Sequence, residues 1–167
     1  MLDDAVLVAL GSNLAGHYAG REALLEAALG RFADADLTLV KRSSWWRSAS
    51  WPDPSLPDYL NGLALVETSL GPRETLAALR RLERQFGREG GPRNAPRTLD
   101  LDLIAHGRAV VDEPGLILPH PRAHQRLFVT GPLAEIAPDW VHPVLGETAA
   151  RLAARATIGL DATPISP

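Results

Sequence analysis

The sequence predicts an α+β domain whose elements follow the order β-α-β-β-α-β. Three observations support this: an unbroken apolar run at residues 5–10, two segments with helical apolar spacing, and a strand-like segment in which leucines alternate with aspartates. The element order is that of the split βαβ, or ferredoxin-like, arrangement, which has an antiparallel sheet with helices on its faces. The residues that follow these six elements are expected to be C-terminal additions.

Four strands and two helices are expected in the first 104 residues. The strands are predicted at residues 5–10, 37–48, 59–68 and 99–104. The first helix spans residues 21–32, and its apolar face consists of Leu24, Leu25, Ala28, Leu29 and Phe32. The second helix begins at Pro72, a residue suited to the first helical position, and its apolar stripe consists of Leu76, Leu79, Leu82 and Phe86. Turn residues and two segments rich in proline or glycine separate these elements.

The signals after the fourth strand are weaker. The chain is predicted to turn into a hairpin strand at residues 109–111, and short helices are expected near 132–136 and 148–156. No internal repeat and no long linker divides the chain, so residues 1–161 are predicted to form a single domain. Residues 162–167 are expected to be a loose C-terminal tail.

The composition limits the classes of function. The chain has 167 residues, of which 46% are apolar and 22% charged, a formal net charge of −3 and no cysteine. It has no run of 18 apolar residues, and its acidic start lacks the basic region of a signal peptide. Without cysteine no disulfide framework is expected, and a cytoplasmic location is the default. The negative balance argues against a nucleic-acid partner, and no membrane partner is expected.

Two aspartates separated by one leucine are the most informative feature of the chain. On a strand, Asp100 and Asp102 share one face with Cα atoms about 6.5–7 Å apart, while the flanking leucines face the core. Paired carboxylates suit Mg²⁺, which proteins often hold with one or two carboxylates plus substrate phosphates. Arg88 and Arg97 precede the strand, and arginines beside a carboxylate pair are parts of phosphoryl-transfer chemistry. The alternative is that the two aspartates are only the solvated face of an amphipathic strand.

The motifs, taken in order, resemble those of the 6-hydroxymethyl-7,8-dihydropterin pyrophosphokinase family. The resemblance covers most of the chain, and the string from Pro96 to Asp102 is its most specific part. The matching pieces are Leu10-Gly11-Ser12-Asn13-Leu14, Pro57-Asp58-Tyr59-Leu60-Asn61, Leu82-Glu83, Gly87-Arg88, Pro96-Arg97-Thr98-Leu99-Asp100-Leu101-Asp102, Pro119-His120-Pro121, Arg126 with Phe128, and Pro132-Leu133. The turn at Gly11 and Ser12 is not a phosphate-binding P-loop, because it lacks the second glycine and the Lys-Ser/Thr pair.

The resemblance implies transfer of pyrophosphate from ATP to the hydroxymethyl group of the pterin, with release of AMP, on a ferredoxin-like fold. It implies two Mg²⁺ ions on Asp100 and Asp102, and catalytic roles for Arg88 and Arg97. The implied nucleotide-binding residues are Glu83, Arg88, Arg97, Leu103, His120 and Arg126. The implied pterin-binding residues are Ser48, Ala49, Trp51, Tyr59, Asn61 and Phe128. A monomer that binds only these small-molecule substrates is expected.

Each assignment has a structural alternative. Tyr59 and Phe128 could be core aromatics, and Asn61 could bond to its own backbone. His120 and Arg126 could be solvated loop residues. Trp45 and Trp46 lie on opposite faces of a predicted strand, so at least one of them is expected in the core.

Two other classes of function compete with the pyrophosphokinase interpretation. One is a non-catalytic ferredoxin-like module that binds nucleotides or RNA, but it leaves the paired aspartates unexplained, since they repel phosphate without a metal. The other is a metal-dependent nucleotidyltransferase or nuclease. The chain also departs from the family at several positions. Gly90 stands where the family usually has a second loop arginine, and Asn94-Ala95 stand where some members have a tryptophan. Ser48-Ala49 replace a frequent Thr-Pro pair, and Leu56 replaces a frequent glutamine. We predict that Arg93 partly substitutes for the missing arginine.

Overall fold

The computed structural model describes residues 2–12, 20–49, 55, 58–87 and 99–165. Within these ranges the main sheet has six strands, and every pair in it is antiparallel. The strands are β1 (Val6–Ser12), β2 (Thr38–Arg42), β3 (Trp46–Ser48), β4 (Tyr59–Glu67), β5 (Asp100–His106) and β8 (Thr163–Pro164). The helices are α1 (Arg21–Gly30), α2 (Pro72–Gln85), α3 (Leu127–Ile136) and α4 (Ala149–Arg155).

The strands lie in the order β5-β1-β4-β3-β8, and β2 pairs with the C-terminal part of β4 while β3 pairs with its N-terminal part. Strand β1 is therefore central, with β4 on one side and β5 on the other. The mixed α/β architecture with an antiparallel sheet agrees with the α+β class predicted from the sequence. Among the described residues, no helix is both long enough and apolar enough to cross a membrane.

The sheet has an apolar core on each face, because apolar residues occupy both sides of its central strands. On one face, Val8 and Leu10 of β1 and Leu101 of β5 pack against α1 and α2. On the other face, Leu7 and Leu63 pack with residues of α3 and α4. The second core covers only one end of its face, and this leaves the other end of the sheet available for a site.

The single strand predicted over residues 37–48 is wrong, because two strands occupy that segment. Strand β2 carries a bulge between Leu39 and Lys41 and ends at Arg42, and the next residue, Ser43, still donates its backbone N–H to the Leu63 carbonyl at 2.9 Å. The Ser43 hydroxyl accepts the N–H of Leu63 at 2.9 Å. The Ser43 side chain therefore accepts a hydrogen bond that a backbone carbonyl would accept in a regular strand.

The tryptophan prediction is confirmed. The Trp45 side chain lies in the first core, with only 4% of the residue exposed, and its Nε1–H donates to Glu26. Trp46 is half-buried on the opposite face, where its Nε1–H donates to Glu135. Burial alone would raise the pKa of Glu135, but hydrogen bonds from Ser44 and Trp46 hold it below its usual value.

Two predictions for the C-terminal part are also wrong. The segment at 109–111 does not form a hairpin with β5. Instead β6 (Val111–Glu113) pairs with β7 (Leu116–Leu118) in a separate two-stranded sheet. The expected loose tail is ordered as far as Ile165, since β8 pairs with β3 and the Ile165 N–H donates to the Trp45 carbonyl at 2.9 Å.

Candidate active site

The uncovered end of the sheet forms the floor of a cavity of about 1120 Å³. Two small residues of β1, Ala9 and Gly11, lie at its centre. In register with them, β5 places Asp102 beside Ala9 and Asp100 beside Gly11, and β4 places Asn61 on the other side of Gly11. The absence of large side chains on this stretch of β1 gives both carboxylates and the amide open space above the sheet.

The structure places Asp100 and Asp102 on the cavity face, as their alternation with leucine predicts. Both are half-buried, while Leu101 between them is fully buried in the core on the opposite face. In the described part of the chain, no group of three or more His, Asp or Glu side chains could hold a metal ion. Two carboxylates on an open floor nevertheless fit Mg²⁺, whose other ligands are commonly substrate phosphates and water.

Asn61 is held against the floor of the cavity by a close approach to Gly11. A Cβ atom on residue 11 would lie 2.8 Å from the Asn61 Oδ1 atom, closer than such contacts occur. The Asn61 Nδ2–H group points toward the Ser48 hydroxyl, at the long distance of 3.5 Å. Tyr59 lies two residues before Asn61 on the same strand and also lines the cavity. Burial, with the charge of Asp100 as a second cause, raises the pKa of the Tyr59 hydroxyl.

If the cavity binds a pterin, as the family resemblance implies, we expect Gly11→Ala to weaken that binding about tenfold or more while leaving the fold intact. The added methyl group must displace the Asn61 side chain, and a misplaced amide no longer pairs with a polar ligand edge. Calorimetric titration with the pterin measures the effect, and Gly30→Ala is the matched control because a Cβ at residue 30 meets nothing within 4 Å. Unchanged pterin affinity in Gly11→Ala would contradict this account of Asn61.

The opposite wall of the cavity comes from the C-terminal half of the chain. Phe128 at the start of α3 lines the cavity and packs partly against the second core. The Arg126 guanidinium lies 5.8 Å from the centre of the Phe128 ring, within the range of a cation–π contact. Arg126 is thus placed where it can reach an anion in the cavity.

His120 lines a second, smaller cavity and not the one that the two aspartates line. Its ring Nδ1 atom accepts the backbone N–H of Arg122 at 3.2 Å, and the backbone N–H of His120 donates to the Ile104 carbonyl. Burial lowers the pKa of His120, and the charge of Asp102 opposes this effect. The imidazole therefore responds to the charge of Asp102.

Glu83 and Leu103 do not line the cavity. Leu103 is a residue of the first core, and Glu83 is a buried residue of α2 with 1% of its surface exposed. One Glu83 oxygen accepts the N–H of Leu101 at 2.8 Å and the other accepts from Arg80 at 2.7 Å. Arg80 in turn donates to the Leu101 carbonyl at 2.9 Å.

The ion pair of Arg80 and Glu83 thus forms hydrogen bonds with both the backbone N–H and the backbone carbonyl of Leu101. Strand β5 is at the edge of the described sheet, and the Leu101 N–H and carbonyl lie on its outer side. Without Arg80 and Glu83, these two backbone groups would have no neighbouring strand to pair with. Leu101 lies between the two aspartates, and the pair therefore fixes the strand that carries them. The implied nucleotide contacts of Glu83 and Leu103 stay predictions.

Other predicted site residues lie outside the described part of the chain. They are Trp51, Arg88, Arg93 and Arg97. The structure does bring Ser48, Ala49, Tyr59, Asn61, Asp100, Asp102, Arg126 and Phe128 to one cavity. It adds lining residues that the motifs did not indicate, and these include Arg122, Gln125, Ile158, Leu160 and Asp161. Arg122 had a sequence signal, since it follows the Pro-His-Pro motif, whereas residues 157–161 had none.

Comparison with known proteins identifies the family. Residues 7–138 match the family described as 7,8-dihydro-6-hydroxymethylpterin-pyrophosphokinase. The chain is 45% identical over 118 residues to the 2-amino-4-hydroxy-6-hydroxymethyldihydropteridine pyrophosphokinase of Synechocystis, which covers 71% of this chain and 60% of the relative. It is 42% identical over 135 residues to the protein of that name from Pseudomonas aeruginosa, covering 80% of this chain and 81% of the relative.

Solved structures support the same fold. The wild-type HPPK-DHPS structure from Plasmodium falciparum superposes with a TM-score of 0.70 at 11% identity, covering 90% of this chain and 44% of that one. This chain belongs to the 7,8-dihydro-6-hydroxymethylpterin-pyrophosphokinase family. It spans 60% of the length of the Synechocystis relative and less than half of the Plasmodium chain.

Proposed function

We propose that the protein transfers pyrophosphate from ATP to the hydroxymethyl group of 6-hydroxymethyl-7,8-dihydropterin and releases AMP. The observation that carries the proposal is that a member of this family places a carboxylate pair and a polar, aromatic pocket on one cavity floor. The carboxylates suit a metal–nucleotide complex, and the adjacent Asn61 and Tyr59 suit a flat heterocycle. The two reactants would therefore meet above Gly11.

One end of the cavity floor is proposed to bind the metal and the nucleotide, and the other end is proposed to bind the pterin. Asp100 and Asp102 would hold Mg²⁺, two ions by family resemblance, and His120 and Arg126 would contact the nucleotide. Bound Mg²⁺ supplies neutralisation of the charge on ATP oxygens and activation of the attacking hydroxyl. Its entry is favoured here because two carboxylates on one face repel each other without a cation.

The pterin end of the floor provides recognition. The Asn61 amide both donates and accepts, which matches the amide and amino groups along a pterin edge. Tyr59 and Phe128 offer aromatic faces to the ring, and Ser48, Ala49 and Trp51 are proposed to complete the edge contacts. Arg88 and Arg97 are proposed to hold the phosphates and to offset charge that develops on the bridging oxygen during transfer.

Several wider assignments accompany this proposal. The ferredoxin-like arrangement is supported by the sheet order, in which β5 and β4 flank β1 and the β2–β3 segment lies beyond β4. A monomer that acts in the cytoplasm in folate biosynthesis is proposed. No described feature favours the nucleotidyltransferase or the RNA-binding alternative.

We expect purified protein to form AMP only when ATP, Mg²⁺ and 6-hydroxymethyl-7,8-dihydropterin are all present. A coupled assay for AMP, run beside an assay for free pyrophosphate, measures the outcome. Omission of the pterin and chelation of the metal are the controls, because pyrophosphoryl transfer needs both the acceptor and the metal. Release of free pyrophosphate, or AMP formation without the pterin, would instead indicate a nucleotidyltransferase or a hydrolase.

A further inference from the structure

The last described segment of the chain, residues 157–165, lines the cavity through residues 157–161 and is anchored at both ends. We call it the C-terminal strap. At its start, the Ile158 carbonyl accepts the N–H of Leu127, and the N–H groups of Thr157 and Ile158 donate to the Gln125 carbonyl. At its end, β8 pairs with β3, and Ala162 is 4% exposed. The strap is therefore fixed by backbone bonds to the elements beside the cavity.

Between the anchors, the strap presents apolar side chains to the cavity. Ile158 and Leu160 both line it, although they are 45% and 65% exposed. Gly159 between them has a φ of +70° and packs on the Phe128 ring, where an added Cβ would lie 2.6 Å from Cδ2. Exposed leucine and isoleucine beside an aromatic ring provide the surface that a flat heterocycle can cover.

The strap also makes a polar contact with Ala49, the residue that directly follows β3. The Asp161 carboxylate accepts the N–H of Ala49 at 2.7 Å. Ala49 lines the cavity and directly follows Ser48, which is close to the Asn61 amide. Asp161 thus holds the backbone at the start of the segment proposed to meet the pterin edge.

We propose that the C-terminal strap is a determinant of pterin binding, with Asp161 as a positioning residue for Ala49 and with Leu160 as an apolar contact for the ring. This inference rests on the proposed function. Asp161 and Gly159 of the strap contact Ala49 and Phe128, which are proposed to bind the pterin. Ile158 instead pairs through its backbone with Arg126, so the test uses Asp161 and Leu160. The strap lies beyond residues 7–138, the segment that matches the family.

The test measures pterin affinity and ATP affinity separately by calorimetry, on wild-type protein and on variants of the full chain. Asp161→Ala and Leu160→Ser are each expected to weaken pterin binding about tenfold, the effect of one lost hydrogen bond or a lost apolar contact. Mg²⁺–ATP binding should change less than twofold. Asp161→Asn should recover most of the pterin affinity, because its amide oxygen can still accept the Ala49 N–H.

Asp139→Ala and Val144→Ser are the matched controls, since both residues are exposed and neither lines the cavity. Pterin affinity equal to wild type in Asp161→Ala and Leu160→Ser would overturn the strap inference while leaving the proposed function intact. An equal loss in Asp161→Asn and Asp161→Ala would overturn the positioning role of Asp161. Wild-type protein that fails to bind the pterin would overturn the proposed function itself, and the strap inference with it.

Discussion

Replacement of Asp100 or Asp102 by alanine is expected to reduce AMP formation at least about a hundredfold, the scale for loss of a main electrostatic stabiliser. Each carboxylate lines the cavity and lies on the face opposite the buried Leu101, so truncation opens no hole in the core. Loss of either carboxylate would leave the proposed Mg²⁺ site with one protein carboxylate. Single-turnover AMP formation across a Mg²⁺ titration measures the effect.

Folding and electrostatics supply independent readouts for these variants. The thermal midpoint of Asp102→Ala should be equal to or above that of wild type, because removal of its carboxylate relieves the repulsion with Asp100. Asp100→Ala should lower the pKa of Tyr59, to which the Asp100 charge contributes after burial. Asp102→Ala should lower the pKa of His120 further, since Asp102 opposes the effect of burial there.

Asp112→Ala is the matched control, because Asp112 is an exposed residue of β6 that does not line the cavity. It should keep wild-type turnover. Near-normal turnover of Asp100→Ala or Asp102→Ala at saturating Mg²⁺ would contradict the metal assignment. A large fall in the thermal midpoint would instead indicate a structural role for the aspartates.

The parts of the fold that the sequence predicts well are those whose signal is local. The strands β1, β4 and β5 and the helices α1 and α2 have apolar spacing that matches their period, and the structure places them where the pattern does. The orientation of Asp100 and Asp102 follows from the same local rule. Alternation fixes which side chains share a face before any partner strand is known.

The parts that the sequence does not predict depend on partners that are distant in the chain. The break at Ser43 is determined by Leu63, on another strand, and the order of the C-terminal strap by β3 and Gln125. Neither segment has a period that would indicate its structure. The strap residues that line the cavity were missed for the same reason. Their position depends on tertiary contacts, which produce no regular residue pattern in the sequence.

Glu83 shows the same limit for a site residue. Its position near Gly87-Arg88 supports a nucleotide contact by resemblance, but in the structure its carboxylate bonds Leu101 and Arg80. Spacing along a helix cannot show that one residue reaches the edge of a strand 18 positions further along the chain. Only the structure shows that Glu83 stabilises β5 through the Leu101 N–H.

We expect Glu83→Ala to lower the free energy of unfolding by about 1–3 kcal/mol, the cost of a buried N–H group left unsatisfied, because Arg80 is 40% exposed and water can solvate its charge. The variant leaves the Leu101 N–H without its acceptor and removes the charge that Arg80 pairs with. Such a loss is a large share of the stability of an ordinary domain, about 5–15 kcal/mol. Glu83→Gln should lose less, because its amide oxygen can still accept the Leu101 N–H. Urea unfolding followed by circular dichroism measures all variants.

Glu22→Ala on α1 provides the control, since Glu22 is exposed and its removal should cost less than about 1 kcal/mol. Activity distinguishes the two roles of Glu83. If the residue supports β5, Glu83→Gln should retain Mg²⁺–ATP affinity within about twofold, because the strand and its two aspartates stay in place. If Glu83 instead contacts the nucleotide, as the family resemblance implies, ATP affinity should fall sharply while stability stays near that of wild type. The second result would show that the bond to Leu101 is dispensable and that the carboxylate acts on the ligand.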